Sequence, residues 1–193
     1  MQRVWRRFGS IPAIVAVASL LGTGAARARD TDKAWEVGLF GFAEHHDVAS
    51  NVGDTPGVGG RVGYHFSAEH ELELDVESGS GSGTLVTSNL NYTVRKFTAL
   101  FVRNYLPKGH DRMAPFLQFG LGDIAVDNGT DRMHTDQERI GGGIKYYVTP
   151  RFAVRFDGGG YSWYGDSTVT ARTRLYTSEA TLGISILIGG KTP

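Results

Sequence analysis

The chain has 193 residues, enough for one domain with a sizeable core and short for two. It contains no cysteine, which excludes a disulfide framework, a thiol nucleophile and a lipid anchor on cysteine. The formal net charge is zero, but the first 28 residues hold four arginines and no acidic residue, so the remainder carries a net charge of −4. A mildly acidic domain gives no support for nucleic-acid binding.

The N-terminal segment has the pattern of a secretory signal peptide. Its start is basic, with Arg3, Arg6 and Arg7. An apolar run follows at 11–21, which is shorter than the ~20 residues that a helix needs to span a bilayer. Small residues at positions 26 and 28 predict cleavage after Ala28. We therefore predict a signal peptide over 1–28 and a single mature domain over 29–193.

From residue 34 onward, apolar residues recur every second position, which is the period of a β-strand. The clearest stretch is 71–77, in which leucine and valine alternate with four acidic residues. A helix would scatter these acids around its surface. Eight segments predict strands: 34–43, 57–66, 71–77, 89–105, 115–124, 139–148, 152–164 and 175–188. The two faces of 89–105 are not distinguishable from the sequence.

The connections between these segments alternate in length. Three are short, at 67–69, 106–113 and 149–151, and the other four are longer and polar, at 44–55, 78–88, 127–138 and 165–174. Short turns at one end and long loops at the other are typical of barrels that span a membrane. The sequence therefore predicts an all-β fold: an eight-stranded antiparallel up-and-down transmembrane β-barrel with short periplasmic turns and longer extracellular loops.

The alternation alone does not decide which face is inside. In a membrane barrel the apolar face meets lipid, whereas in a soluble barrel it forms the core. The signal peptide, the unequal loops and the glycines on the less apolar face favour the membrane. A soluble periplasmic barrel that binds a small apolar ligand is the alternative.

Charges that face inward need partners, because an unpaired buried ion costs several kcal/mol. We predict a filled, ionic interior and not an open pore. The candidate residues for this network are Arg61, Glu71, Glu73, Asp75, Arg103, Lys145, Arg155, Asp157 and Glu179. Alternatively, some of them lie beyond the membrane and are solvated.

Aromatic residues concentrate near the ends of the predicted strands. They are Trp35, Tyr64, Phe66, Tyr105, Phe116, Tyr146, Tyr147, Phe152, Tyr161, Trp163, Tyr164 and Tyr176. Some of them are expected to form girdles at the two membrane interfaces, with ordinary core packing as the alternative.

Three segments carry a family resemblance: the glycine-rich 57–64, the Pro-aromatic 114–122 that ends in Gly-Leu-Gly, and 140–146, which opens with Ile-Gly-Gly-Gly. In this order they resemble strands two, five and six of the OmpA-like and opacity-type outer-membrane β-barrel domain. The likeness extends over about 34–188. One departure is the C-terminal segment 188–193, which lacks the terminal aromatic residue that helps assembly in many members.

The expected role is that of a non-enzymatic outer-membrane barrel that stabilises the envelope or interacts at the surface, as an adhesin does. The expected partners are outer-membrane lipid and lipopolysaccharide, the barrel-assembly machinery, and an extracellular partner of the loops. We expect a monomer, with no nucleic acid, no cofactor and no metal.

A lipid A-modifying enzyme is the alternative function. Barrel-type deacylases pair a histidine with a serine two residues later near strand seven, but Ser162 follows Gly160 and Tyr161. The pair His45 and His46, followed by Asp47, is interpreted as a solvated loop rather than a metal site.

Overall fold

In the computed structural model, which describes residues 31–46, 53–85, 88–108, 112–130, 132–165 and 173–190, eight antiparallel strands close into a barrel. The strands are β1 (Ala34–His46), β2 (Thr55–His65), β3 (His70–Leu85), β4 (Ser88–Asn104), β5 (Met113–Asp127), β6 (Arg132–Thr149), β7 (Phe152–Gly165) and β8 (Thr173–Gly189). Each strand pairs with its neighbours in sequence, and β8 returns to pair with β1 from Ala34–Gly189 to His46–Thr177. The predicted fold class is confirmed.

The two ends of the barrel differ in their connections. The lower end, predicted to be periplasmic, carries the short turns and the start of β1. The upper end is predicted to be extracellular. There β3 continues to Leu85 and β6 begins at Arg132, so most of the predicted loops at 78–88 and 127–138 belong to strands. The Ser-Gly run of β3 has low strand propensity, but the ladder to β4 continues through it as far as the pair Leu85–Ser88.

On most strands the apolar face points outward. On β3, Leu72, Leu74 and Val76 are exposed, whereas Glu73 and Asp75 between them are fully buried. The same alternation runs along β1 from Trp35 to Leu39 and along β8 from Leu182 to Ile188. This arrangement contradicts the soluble alternative, in which the leucines would form the core, and it matches a wall that faces lipid.

Glycines make room for large side chains inside this narrow barrel. A Cβ at Gly59 would lie 2.4 Å from the ring of Phe40, and one at Gly57 would lie 2.2 Å from the ring of Phe42. Both rings point inward from β1 toward β2. The glycines of β2 therefore fill the interior indirectly, by letting the neighbouring strand project bulky groups into it.

Among the described residues, no helix is long and apolar enough to cross a membrane. The predicted signal peptide at 1–28 lies outside the described residues, so its cleavage stays a prediction.

Candidate functional site

The interior of the barrel is the chemically distinctive part of the molecule. Strands place charged side chains there at every second position, and these form three groups stacked along the barrel axis. A cluster of buried apolar residues lies toward each end of the stack. The described interior holds eight buried carboxylates, of Glu36, Glu44, Glu71, Glu73, Asp75, Glu77, Asp157 and Glu179. It holds five buried permanent cations, of Arg61, Lys96, Arg139, Lys145 and Arg155.

The lower ionic group centres on Lys145 of β6. Its Nζ donates to Glu36 Oε2 at 2.7 Å and to Glu71 Oε2 at 2.6 Å, so one ammonium joins β6 to β1 and β3. The ring of His65 adds a contact, with Nε2 3.0 Å from Glu36 Oε2. All four side chains are fully buried. Charge-assisted hydrogen bonds thus replace the water that these ions lose.

The middle ionic group centres on Arg155 of β7. Its guanidinium donates two hydrogen bonds to Glu73, and a third reaches Asp157 Oδ1 at 3.0 Å. Nη2 also donates to the amide oxygen of Gln118 at 2.8 Å. Arg61 Nη1 contacts the other oxygen of Asp157 at 3.3 Å. This group therefore ties β2, β3, β5 and β7 together across the interior.

The upper ionic group centres on Lys96 of β4. Its Nζ pairs with Glu44, Glu77 and Glu179, which come from β1, β3 and β8. Arg139 of β6 binds two of the same carboxylates, at 2.7 Å to Glu77 Oε1 and 2.5 Å to Glu179 Oε1. Two cations and three carboxylates thus form a single network that involves five strands.

The side chain of Asp75 lies between the middle and upper groups. Its Oδ2 is 3.8 Å from Arg61 Nη2 and 3.8 Å from Arg139 Nη1. These ion pairs connect the two groups, so the charged interior is continuous from the middle of the barrel to its upper part.

Apolar clusters lie toward both ends of this charged column. At the lower end the buried residues are Ala34, Ala114, Tyr147, Ala153 and Leu187. At the upper end they are Tyr92, Val94, Ile124, Tyr161, Trp163 and Leu175.

The structure places eight of the nine predicted network residues inside the barrel. Arg103 is the exception, and its assignment to the interior was wrong. It is exposed on the outer face of β4, with its guanidinium carbon 5.5 Å from the centre of the Tyr105 ring. Strand alternation explains the error, because Lys96 faces inward and Arg103 is an odd number of residues away.

Five charged residues of the network were missing from the prediction: Glu36, Glu44, Glu77, Lys96 and Arg139. Glu36, Glu77 and Arg139 lie on, or continue, the alternating pattern of their strands, so that pattern was enough to find them. Glu44 falls in a segment predicted to be a loop. Lys96 lies on β4, whose two faces the sequence did not separate.

The aromatic residues divide between the wall and the interior. Trp35, Phe66, Tyr105, Tyr146 and Tyr176 are exposed on the outer wall, and Tyr64 is half-buried there. Phe116, Tyr147, Phe152, Tyr161 and Trp163 are buried. The side chain of Tyr164 lies outside the described residues. Only the first set is placed to form interfacial girdles.

The two histidines of the first predicted loop lie at the upper end of β1 and differ in environment. His45 is exposed, with Nδ1 2.7 Å from Asp54 Oδ1. His46 is buried, and its ring nitrogens contact the hydroxyls of Thr55 and Thr177, so its interpretation as a solvated loop residue was wrong. Asp47 lies outside the described residues.

Two buried clusters have the donor atoms for a metal ion: Glu36 with His65 and Glu71, and Glu44 with Glu77 and Glu179. In each cluster a lysine ammonium already bridges carboxylates, Lys145 in the first and Lys96 in the second. The lysines therefore supply the positive charge that a metal would bring. Ser162 contacts Glu138 and Arg174, and among the described residues no histidine bonds to its hydroxyl.

Comparison with known proteins agrees with this architecture. Residues 13–186 match the family model for the outer membrane protein beta-barrel domain, and no curated protein matches the chain. The outer membrane protein OprG from Pseudomonas aeruginosa is similar over 85% of this chain and 100% of its own, with 11% identity and a TM-score of 0.57. Neisserial surface protein A is similar over 79% of this chain and 95% of its own, with 16% identity and a TM-score of 0.52. At these identities the likeness concerns the fold.

Proposed function

The chain belongs to the outer-membrane β-barrel domain family, and on that premise we propose that it works in the outer membrane as a non-enzymatic, sealed barrel with an envelope-structural or surface-interaction role. The observation that carries this proposal is the column of paired charged side chains that lies between two apolar clusters. A channel needs an aqueous path, whereas here the interior is filled by side chains that bind one another.

The cross-links of the interior support a structural role. Each ionic group joins at least three strands that are not neighbours in the sheet, such as β3 and β7 through Glu73 and Arg155. Such bonds hold the ring in shape independently of the backbone ladder. A closed ring also has no free strand edge, which favours a monomer over edge-to-edge association.

The upper end supports a role at the surface. The hairpin of β3 and β4 continues through polar residues up to the pair Leu85–Ser88, well above the last apolar residue of β3 on the outer wall, Val76. We propose that this end presents the extracellular loops to a partner. The wall itself would bind phospholipid and lipopolysaccharide, and the barrel-assembly machinery would insert the protein.

Planar-bilayer recordings of the purified barrel test the sealed interior. The proposal expects no stable conductance, and large persistent openings would overturn it. Mass spectrometry of lipid A from cells with and without the protein tests the non-enzymatic role. Unchanged lipid A masses are expected, and a new acyl or headgroup mass that depends on the protein would favour the enzyme instead.

A further inference from the structure

A groove of about 580 Å³ lies at the upper ends of β6, β7, β8 and β1. Its lining combines outer-wall residues, among them Glu138, Ile140, Arg174 and Tyr176, with the buried residues His46, Arg139, Tyr161 and Thr177. Ile140 and Tyr176, which are 72% and 58% exposed, stand on its two sides. Ile140 is the uppermost apolar residue of the outer wall on β6, and Glu138 follows it toward the upper end. The groove therefore lies where the lipid-facing wall ends.

The floor of the groove is formed by backbone, because β7 has glycines there. Gly160 lies between Ile140 of β6 and Ser178 of β8 in the register of the sheet. One row lower, Gly158 lies between Gly142 and Ala180. A Cβ at Gly158 would meet nothing closer than 3.9 Å. The floor is thus a shallow channel that runs down the wall into the apolar belt.

A polar cluster stands at the upper end of this channel. Arg174 Nη2 donates to Ser162 Oγ at 2.8 Å and pairs with Glu138, whose Oε2 is 3.5 Å from the same hydroxyl. Arg174 and Glu138 remain 44% and 60% exposed. Within the described part of the chain the guanidinium uses only Nη2, so its other N–H groups and Glu138 Oε1 are available to a ligand.

We propose that this groove binds the sugar headgroup of an outer-leaflet glycolipid, with an acyl chain of the same molecule lying in the glycine channel. The proposal deepens the proposed function, since it rests on lipopolysaccharide as a partner of the wall and assigns that partner a site. The groove is continuous with the membrane-facing surface, and only a molecule anchored in the outer leaflet presents a polar head and an apolar tail at this level.

The chemistry of the cluster favours a sugar over a bare phosphate. A phosphate site would need excess positive charge, whereas here the carboxylate of Glu138 lies against the Arg174 guanidinium. The other arginine of the lining, Arg139, is already paired with Glu77 and Glu179 in the interior. Sugar hydroxyls both donate and accept hydrogen bonds, and they match a carboxylate, a guanidinium and a hydroxyl placed side by side. The exposed ring of Tyr176 lies beside this cluster, with the guanidinium carbon of Arg174 5.8 Å from the ring centre.

The test uses the mature barrel in detergent, with deep-rough lipopolysaccharide as the probe and phosphatidylglycerol as the comparison lipid. Native mass spectrometry counts the lipid retained on the folded protein. Arg174→Gln removes the guanidinium, and Gly158→Leu fills the floor at a position where a Cβ would meet nothing closer than 3.9 Å. The matched controls are Arg95→Gln, an exposed arginine on the outer wall of β4, and Gly60→Leu on β2, where a Cβ would meet nothing closer than 3.7 Å.

We expect the wild type to retain one lipopolysaccharide molecule, and both groove variants to weaken its retention about tenfold, as the loss of a charge-assisted contact predicts. Both controls should retain it as the wild type does. An equal loss in Arg95→Gln, unchanged retention in both groove variants, or a matching loss of phosphatidylglycerol would overturn the site. Gel mobility with and without heating establishes that each variant is folded.

These outcomes are separate from those of the proposed function. If the groove variants retain lipopolysaccharide as the wild type does, and the barrel conducts no ions, the proposed site is refuted while the sealed barrel still stands. A conducting wild-type barrel would refute the sealed interior whatever lipid it binds.

Discussion

Glu73 of β3 and Arg155 of β7 meet across the barrel from opposite sides of the ring, joined by two hydrogen bonds of 2.5 and 3.2 Å. Both side chains are buried, and the strands that carry them are four places apart in the sheet. The pair therefore works as a tie across the interior, and it allows the contribution of the charged column to stability to be measured at one contact.

Replacing one partner of this tie should destabilise the barrel strongly. Glu73→Gln leaves the Arg155 guanidinium with Asp157 as its remaining bonded carboxylate, and breaking a buried pair in this way costs about 3–5 kcal/mol. Unfolding of the refolded barrel in guanidinium chloride measures the loss in the free energy of unfolding. Arg103→Gln is the control, because its exposed side chain predicts a change within about 0.5 kcal/mol. Equal denaturant midpoints for the two variants would show that this pair contributes nothing to stability.

The cost of a charged substitution on the lipid-facing wall should depend on the depth of the residue in the bilayer. Leu74 and Ser80 share the outer face of β3, but Leu74 lies in the apolar belt and Ser80 lies near the upper end. Leu74→Arg should cost about 2–4 kcal/mol and Ser80→Arg about 0–1 kcal/mol in a bilayer. Reversible unfolding in phospholipid vesicles gives both values. A cost that does not depend on depth would contradict the orientation of the wall.

Gly59 should not accept a methyl group. Its Cβ would lie 2.4 Å from the Phe40 ring, so Gly59→Ala overpacks the interior and should cost about 1–3 kcal/mol. At the neighbouring Gly60 a Cβ would make only ordinary van der Waals contacts at 3.7 Å, and Gly60→Ala should cost nothing. Thermal unfolding compares the two variants. In the Phe40→Leu background the penalty at Gly59 should shrink, which would attribute it to this contact.

Lys96 should be needed to keep the upper part of the interior closed. Lys96→Gln leaves Glu44, Glu77 and Glu179 around a neutral side chain, with Arg139 as their remaining cation. Carboxylates that lose their counterion recruit water and cations in its place. We expect brief cation-selective openings in planar bilayers where the wild type shows none. A variant as silent as the wild type would indicate that the apolar ends alone seal the barrel.

The signal peptide predicts a defined N-terminus for the mature protein. Cleavage after Ala28 makes Arg29 the first residue in the outer membrane. Intact-mass measurement of protein extracted from outer membranes identifies the start directly. A mass that includes 1–28 would show that the segment is retained.

Much of this architecture was predictable, because most strands contrast strongly between their two faces. On β3 every second residue from 71 to 77 is acidic, so the alternation alone assigns the faces once the fold is known. β4 lacks that contrast: its inward residues include Leu100 and Val102, and its outward residues include Arg95 and Arg103. Because β4 has apolar residues on its inner face and charged residues on its outer face, the usual contrast between the two faces is lost. This is why Lys96 was missed and Arg103 misplaced.

The strand ends were harder to predict for a different reason. The Ser-Gly run of β3 shows the composition of a flexible loop, yet the ladder continues through it because β4 supplies a partner at each position. Pairing of this kind is a property of two segments together. Propensity within one segment does not reveal it.

The distribution of charge around the ring bears on how the protein enters the membrane. Glu36 and Glu44 lie on β1, and their cationic partners Lys145 and Lys96 lie on β6 and β4. A sheet inserted with the seam between β1 and β8 still open would bring these ions into hydrocarbon before they are neutralised, at a cost of several kcal/mol each. We therefore expect insertion and ring closure to be coupled, without a stable half-inserted form.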